Sequence, residues 1–109
     1  MPGQIPERTD FVIEAELTAR TVSRVQTLLL SAFHEAEAVR LDLRDPIKMD
    51  VCGVQLIESA RKFAVAHGKH LSLKAPVGAD VARLLEGLGV LHDSSSEEST
   101  FWLHQGAAA

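Results

Sequence analysis

The chain has little cysteine, no basic stripe and no long apolar run, and each of these absences excludes a class of protein. The one cysteine among 109 residues, Cys52, excludes an internal disulfide framework and any multi-thiolate metal site, and it suits a reducing cytoplasm. The formal net charge is −4, and basic residues occur only singly or in pairs, which argues against a nucleic-acid binder. We therefore expect a cytoplasmic protein that does not bind nucleic acid.

Other motifs are absent as well. No apolar segment approaches the length needed to span a bilayer, and the first ten residues lack the basic and apolar regions of a secretory signal. Neither a Gly-x-Gly-x-x-Gly nor a P-loop pattern is present. His67 and His70 flank a glycine that should end a helix, and no acidic residue completes a ligand set nearby. We predict no membrane insertion, no cofactor and no metal site.

The composition is that of one globular domain. Hydrophobic residues make up 46% and charged residues 24% of the chain, so a single core is feasible. The prolines and glycine near the start predict a flexible leader over residues 1–9. We expect the domain to cover residues 10–104, with a short tail over 105–109.

Hydrophobic periodicity predicts an alternation of strands and helices. A period of two predicts strands over 11–17, 39–43 and 71–73, and helical spacing predicts amphipathic helices over 22–33, 54–64 and 77–88. Residues 92–100 are polar and predict a solvated loop, and residues 101–103 could form a closing edge strand. Trp102 in that strand would either close the core or anchor a partner, and core closure is favoured. Alternating strands and helices indicate an α/β domain.

The most informative segment is Asp50-Val51-Cys52-Gly53, which follows a strand and a turn and opens a helix. Asp50 stands where its carboxylate can accept hydrogen bonds from the first free N–H groups of the helix. Gly53 leaves the backbone uncovered, so another surface could approach closely. A purely structural interpretation is also open: an N-cap, a small residue in the first turn, and a buried thiol at Cys52.

The order of several motifs resembles the STAS domains, the family of anti-sigma-factor antagonists and of regulatory modules attached to transporters. The similar segments are Leu41-Asp42-Leu43, Asp50-Val51-Cys52-Gly53-Val54, Leu17-Thr18-Ala19-Arg20-Thr21-Val22, Ala66-His67-Gly68-Lys69-His70-Leu71 and Val81 through Leu91. The resemblance implies a single α/β domain with a mixed sheet of four to five strands. It also implies that the helices pack mainly on one face of that sheet.

The same resemblance implies a function. In the family, the residue at the position of Cys52 is a serine or threonine that a partner kinase phosphorylates, and antagonist members often carry an acidic residue where this chain has Thr18. The resemblance implies partner switching with a histidine-kinase-like anti-sigma factor or a related signalling ATPase, here without phosphorylation at Cys52. The expected partner-binding residues are Asp50, Val51, Cys52, Gly53, Gln55 and Thr18.

Two other functions remain open. One is a STAS subunit of a lipid-transport ABC system, which would stabilise the ATPase of that system. The other is a thiol-dependent enzyme that uses Cys52, because a helix N-terminus can lower a thiol pKa. The neighbouring Asp50 carboxylate opposes thiolate formation, and no histidine lies in the same turn. We therefore predict that the protein is not an enzyme.

Overall fold

The computed structural model describes residues 8–91 and 97–105, which form five strands and four helices. In chain order these elements are β1 (Arg8–Ile13), β2 (Glu16–Leu17), α1 (Val22–Glu35), β3 (Ala38–Leu43), β4 (Lys48–Met49), α2 (Val51–Ala66), β5 (His70–Leu73), α3 (Ala79–Gly87) and α4 (Glu97–Leu103). The predicted α/β class is confirmed. No helix in these described ranges is both long and apolar enough to cross a membrane.

The strands form two separate ladders. β1, β3 and β5 make a three-stranded sheet in the order β1-β3-β5, in which Phe11 lies opposite Leu41 and Leu41 lies opposite Leu73. β2 and β4 make a two-stranded ladder. All three pairings among the described strands are parallel, since helices provide the crossovers that parallel strands need. The antiparallel pair of a mixed sheet is not among them.

Alternation along the strands separates an apolar face from a polar face of the larger sheet. The core side chains on these strands are Ile13, Val39, Leu41 and Leu73, which are buried against the helices. On the opposite face, the Arg40 guanidinium donates two hydrogen bonds to Asp10, each 3.0 Å long. This exposure pattern places the described helices chiefly against the apolar face, as the family resemblance implied.

The first predicted strand is divided in two. Ala15 has a φ of 68°, and the N–H of Glu16 donates to the Glu14 carbonyl at 2.7 Å, so the chain turns sharply between β1 and β2. The alternation continues through this turn, which is why the sequence suggested one strand. β1 also begins at Arg8, so Arg8 and Thr9 of the predicted leader belong to the sheet. Residues 1–7 and 106–109 lie outside the described residues.

The end of the chain differs from the prediction. Residues 97–103 form α4, so both the predicted loop over 97–100 and the closing strand over 101–103 are wrong; residues 92–96 of that loop lie outside the described range. Trp102 is fully buried, and its indole Nε1 donates to Glu58 Oε2 at 2.8 Å. A helix allows this burial and places Glu97 and Glu98 in the first turn, where the helix dipole favours acidic side chains. The prediction that Trp102 closes the core is confirmed.

The predicted end of α2 is confirmed. Gly68 has a φ of 68°, the left-handed conformation that glycine adopts without a steric cost. The N–H groups of Gly68 and Lys69 donate to the carbonyls of Val65 and Ala64, at 3.3 and 2.8 Å. This pair of bonds satisfies the last carbonyls of the helix and turns the chain into β5.

Candidate functional site

The short β2–β4 ladder brings the starts of two helices to one edge of the protein. Glu16 pairs with Lys48, and Leu17 pairs with Met49. β2 leads through a short loop into α1, whereas β4 leads at once into α2. Because the two strands are parallel, the N-termini of α1 and α2 lie side by side.

Asp50 connects these two helix starts. Its Oδ1 accepts hydrogen bonds from the N–H groups of Cys52 and Gly53, at 2.9 and 3.2 Å, so the predicted N-cap of α2 is confirmed. Its Oδ2 accepts a bond from the N–H of Ala19 at 3.1 Å. The Ala19 bond first, and then the Gly53 and Cys52 bonds, hold the pKa of Asp50 below its ordinary value. The sequence showed the cap but gave no sign of the link to Ala19.

Gly53 is buried, and the residues packed against it, Leu17 and Met49, belong to the same chain. A Cβ placed on Gly53 would lie 2.3 Å from the Leu17 carbonyl oxygen and 2.9 Å from Met49 Cγ. The close approach expected at this glycine therefore occurs, but β2 and β4 make it rather than a second protein. Gly53 allows α2 to start directly against the β2–β4 ladder.

Thr18 is also buried, with 4% of its surface exposed. Its hydroxyl donates to the Glu16 carboxylate, and its N–H donates to Thr21 Oγ1 at 3.0 Å. The N–H of Arg20 donates back to Thr18 Oγ1 at 3.3 Å. Thr18 therefore shapes the loop before α1, and its side chain does not supply contact surface. Thr21 occupies the N-cap position of α1, but its side chain makes no capping bond.

The other predicted contact residues lie at the surface. Val51 is 41% exposed, Gln55 is exposed, and Asp50 and Cys52 are partly exposed. Cys52 is a free thiol in the first turn of α2. We call these four residues, Asp50, Val51, Cys52 and Gln55, the α2 tip. The structure thus brings the four tip residues together at one accessible helix start. Thr18 and Gly53 are buried next to that start.

The polar side chains of the α2 tip differ in how far the fold engages them. The Asp50 carboxylate accepts three backbone N–H groups, so both of its oxygens already serve the fold. Among residues 8–91 and 97–105, no side chain is hydrogen-bonded to the Cys52 sulfur. No group of three or more His, Cys, Asp or Glu residues in the same ranges is placed to hold a metal ion. The tip therefore presents the apolar, thiol and amide groups of Val51, Cys52 and Gln55 beside the Asp50 carboxylate, whose oxygens are bonded to backbone N–H groups.

Comparison with protein families identifies the family of the chain. Residues 4–104 of the chain match the family model of the STAS domain. No curated protein and no solved structure matches the chain significantly. The match spans nearly the whole sequence, and it includes both strands and both helix starts that build the α2 tip. The chain therefore belongs to the STAS domain family.

Proposed function

We propose that this protein is a non-enzymatic regulatory module that binds a partner protein through the α2 tip. STAS domains are generally binding modules, and a regulatory or antagonist-like role is the one the family suggests. The observation that carries the proposal is the exposure of Val51, Cys52 and Gln55 on a helix start that Asp50 holds in place. A preorganised surface binds without first losing conformational entropy.

The proposed partner is a histidine-kinase-like anti-sigma factor or a related bacterial signalling ATPase. Phosphorylation would add about −1.5 to −2 charges to a contact surface. Cys52 cannot receive a phosphate from an ordinary serine/threonine kinase, and the hydroxyl of Thr18 is buried and bonded to Glu16. The module is thus constitutively competent to bind, or its binding is controlled by the partner.

The proposal is tested with the ATPase that copurifies with the protein from its native cells and is encoded near its gene. The binding constant of the purified ATPase is measured for the wild type and for Cys52→Glu, which places a negative charge on the tip. We expect binding to weaken by at least tenfold. Leu88→Glu is the matched control, because Leu88 is 42% exposed at the C-cap of α3 and is not one of the tip residues. Equal affinity of wild type and Cys52→Glu would refute the proposal.

The identity of the ATPase separates the two biological contexts. A histidine-kinase-like ATPase supports the signalling role that we propose. An ATPase of a lipid-transport ABC system would replace that role with the alternative, although the α2 tip would still be the contact surface.

A further inference from the structure

The pairing register changes by two residues between the larger sheet and the β2–β4 ladder. The last β1–β3 pair is Ile13 with Leu43, and the first β2–β4 pair is Glu16 with Lys48. Two residues separate these pairs on the first side, whereas four, residues 44–47, separate them on the second. Because a shift of two residues keeps every side chain on its own face, the buried face continues through the break. The β2–β4 ladder is thus a continuation of the β1–β3 pairing in a displaced register.

The displaced register brings Asp50 to the loop before α1. The positions that follow the last pair of the β2–β4 ladder are Thr18 and Asp50, and the Asp50 carboxylate accepts the next N–H of that loop, from Ala19, at 3.1 Å. If the β1–β3 register continued, Asp50 would lie level with Arg20 instead. Two residues of a strand correspond to about 6–7 Å. The bond between the two helix starts therefore depends on the displacement.

The short side of the break is closed by a strained turn at Ala15. Ala15 has a φ of 68°, and the N–H of Glu16 donates across it to the Glu14 carbonyl at 2.7 Å. A γ-turn with positive φ is rare, and a residue with a Cβ adopts it at a cost in free energy. The Ala15 side chain is exposed, so its own packing does not offset that cost. The Ala15 carbonyl accepts the N–H of Lys48 at 2.8 Å, so the turn is held by the start of the β2–β4 ladder.

We propose that Ala15 is a positioning residue of the α2 tip. Its left-handed turn holds β2 in the displaced register, and that register keeps the loop before α1 bonded to Asp50. Where it concerns binding, this proposal rests on the proposed function. Its effect on the Ala19 N–H is a property of the free chain and is measured without a partner.

Amide hydrogen exchange of the full chain, measured by nuclear magnetic resonance, tests the effect on Ala19. Ala15→Val places a β-branched residue, which avoids positive φ, at an exposed position. We expect the Ala19 amide to exchange at least tenfold faster in this variant. The amides of Cys52 and Gly53 should change by less than threefold, because the cap of α2 is local. Ala79→Val is the matched control at an exposed alanine in the first turn of α3, and it should leave all three rates within twofold.

A second variant tests the same role in the opposite direction. Ala15→Gly adopts a positive φ without a steric cost, so the turn should open less often than in the wild type. We expect the Ala19 amide to exchange at least twofold more slowly, and this result decides the matter if Ala15→Val does not fold. Faster exchange of Ala19 in Ala15→Gly, or a rate within twofold of the wild type in Ala15→Val, would overturn the proposal.

Binding of the copurifying ATPase completes the test. Ala15→Val should weaken binding by at least fivefold, whereas Ala15→Gly should bind within twofold of the wild type. If Cys52→Glu weakens binding and Ala15→Val does not, the positioning role is overturned and the proposed function stands. Unchanged affinity of both Cys52→Glu and Ala15→Val would refute the proposed function and the positioning role together.

Discussion

The carboxylate of Asp50 accepts a hydrogen bond from the N–H of Ala19, 31 residues earlier in the chain, with an oxygen–nitrogen distance of 3.1 Å. The same carboxylate caps α2 through its other oxygen. An N-cap ordinarily serves only its own helix. Here the Asp50 side chain also holds the loop before α1 in position. The surface of the α2 tip therefore depends on both the cap of α2 and the bond to Ala19.

Replacing Asp50 by alanine should destabilise the protein more than the loss of an ordinary cap. Asp50→Ala removes the acceptor for Cys52, Gly53 and Ala19 together, and we expect the Tm to fall by more than about 5 °C. Asp50→Asn keeps a side-chain oxygen that can cap the helix, so its Tm should fall by less than half as much. Thermal unfolding followed by circular dichroism measures both. An unchanged Tm for Asp50→Ala would contradict the connecting role.

Stability should decrease in acid partly because of Asp50. Hydrogen bonds, that from Ala19 foremost, lower the pKa of Asp50 in the folded protein. A carboxyl whose pKa is lowered by folding stabilises the fold fully above its unfolded pKa of about 3.9, and that contribution disappears as the pH falls through the folded pKa. Asp50→Asn should therefore lose less stability than the wild type between about pH 5 and pH 2.

Urea unfolding at a series of pH values gives the comparison. Asp10 and Asp42, whose pKa values are lowered by Arg40 and Arg44, are the same in both proteins and provide a common background. Parallel stability curves for the wild type and Asp50→Asn would show that Asp50 makes no contribution.

Gly53→Ala should be strongly destabilising, although alanine is normally the better helix residue by roughly 0.5–1 kcal/mol. The new Cβ would overlap the Leu17 carbonyl oxygen, which belongs to a backbone paired with β4 and cannot move alone. Gly87→Ala is a matched control in α3, where a Cβ would meet nothing within 4 Å. We expect a loss of more than about 2 kcal/mol for Gly53→Ala and no loss for Gly87→Ala. Equal unfolding free energies would contradict the packing described here.

Trp102→Phe should weaken the attachment of α4. The phenylalanine ring keeps most of the buried apolar surface but lacks the indole N–H that donates to Glu58. Hydrogen bonds to charged groups contribute roughly 1.5–3 kcal/mol, so we expect a loss of about 2 kcal/mol in the free energy of unfolding. Glu58→Gln keeps an acceptor for the indole and should lose less than Glu58→Ala. Chemical denaturation monitors all three variants.

Cys52→Ser should restore a phosphorylation site. The substitution changes one atom at a partly exposed position, where the resemblance to STAS domains implies a serine or threonine. With ATP and a partner that retains kinase activity, we expect the serine variant to gain one phosphate by mass spectrometry, whereas the wild type gains none at this residue. A phosphate on wild-type residue 52, or none on the variant with an active kinase, would contradict the role assigned to the α2 tip.

The fold was largely predictable because its signals are local. The alternation in β3 and β5 and the helical spacing in α1 reflect burial on one face, which a single segment reveals. The division of β1 from β2 depends on the positive φ of Ala15, and alanine gives no warning of it. The sequence did not predict α4, because three apolar residues after a polar run fit a strand as well as a helix. The buried indole of Trp102 in α4 is bonded to Glu58, 44 residues earlier, and no local pattern shows that contact.

The residues that form the site were predictable from the sequence, but which of them are buried was not. Asp50 and Gly53 were recognisable because caps and first-turn glycines have local roles. The β2–β4 ladder determines which of the predicted residues face the solvent. It buries Gly53 against Leu17, and Thr18 at the end of β2 is buried as well. That ladder pairs residues more than thirty positions apart, a relationship that no local pattern in the sequence contains.

The brevity of the β2–β4 ladder has a mechanical consequence. Only two residues on each side pair, and both strands end directly at a helix start or the loop before one. The Asp50 carboxylate accepts hydrogen bonds from both Ala19 and Cys52, so one side chain joins the loop before α1 directly to the first turn of α2. We therefore expect a ligand that binds one of the two helix starts to displace the other helix start with it.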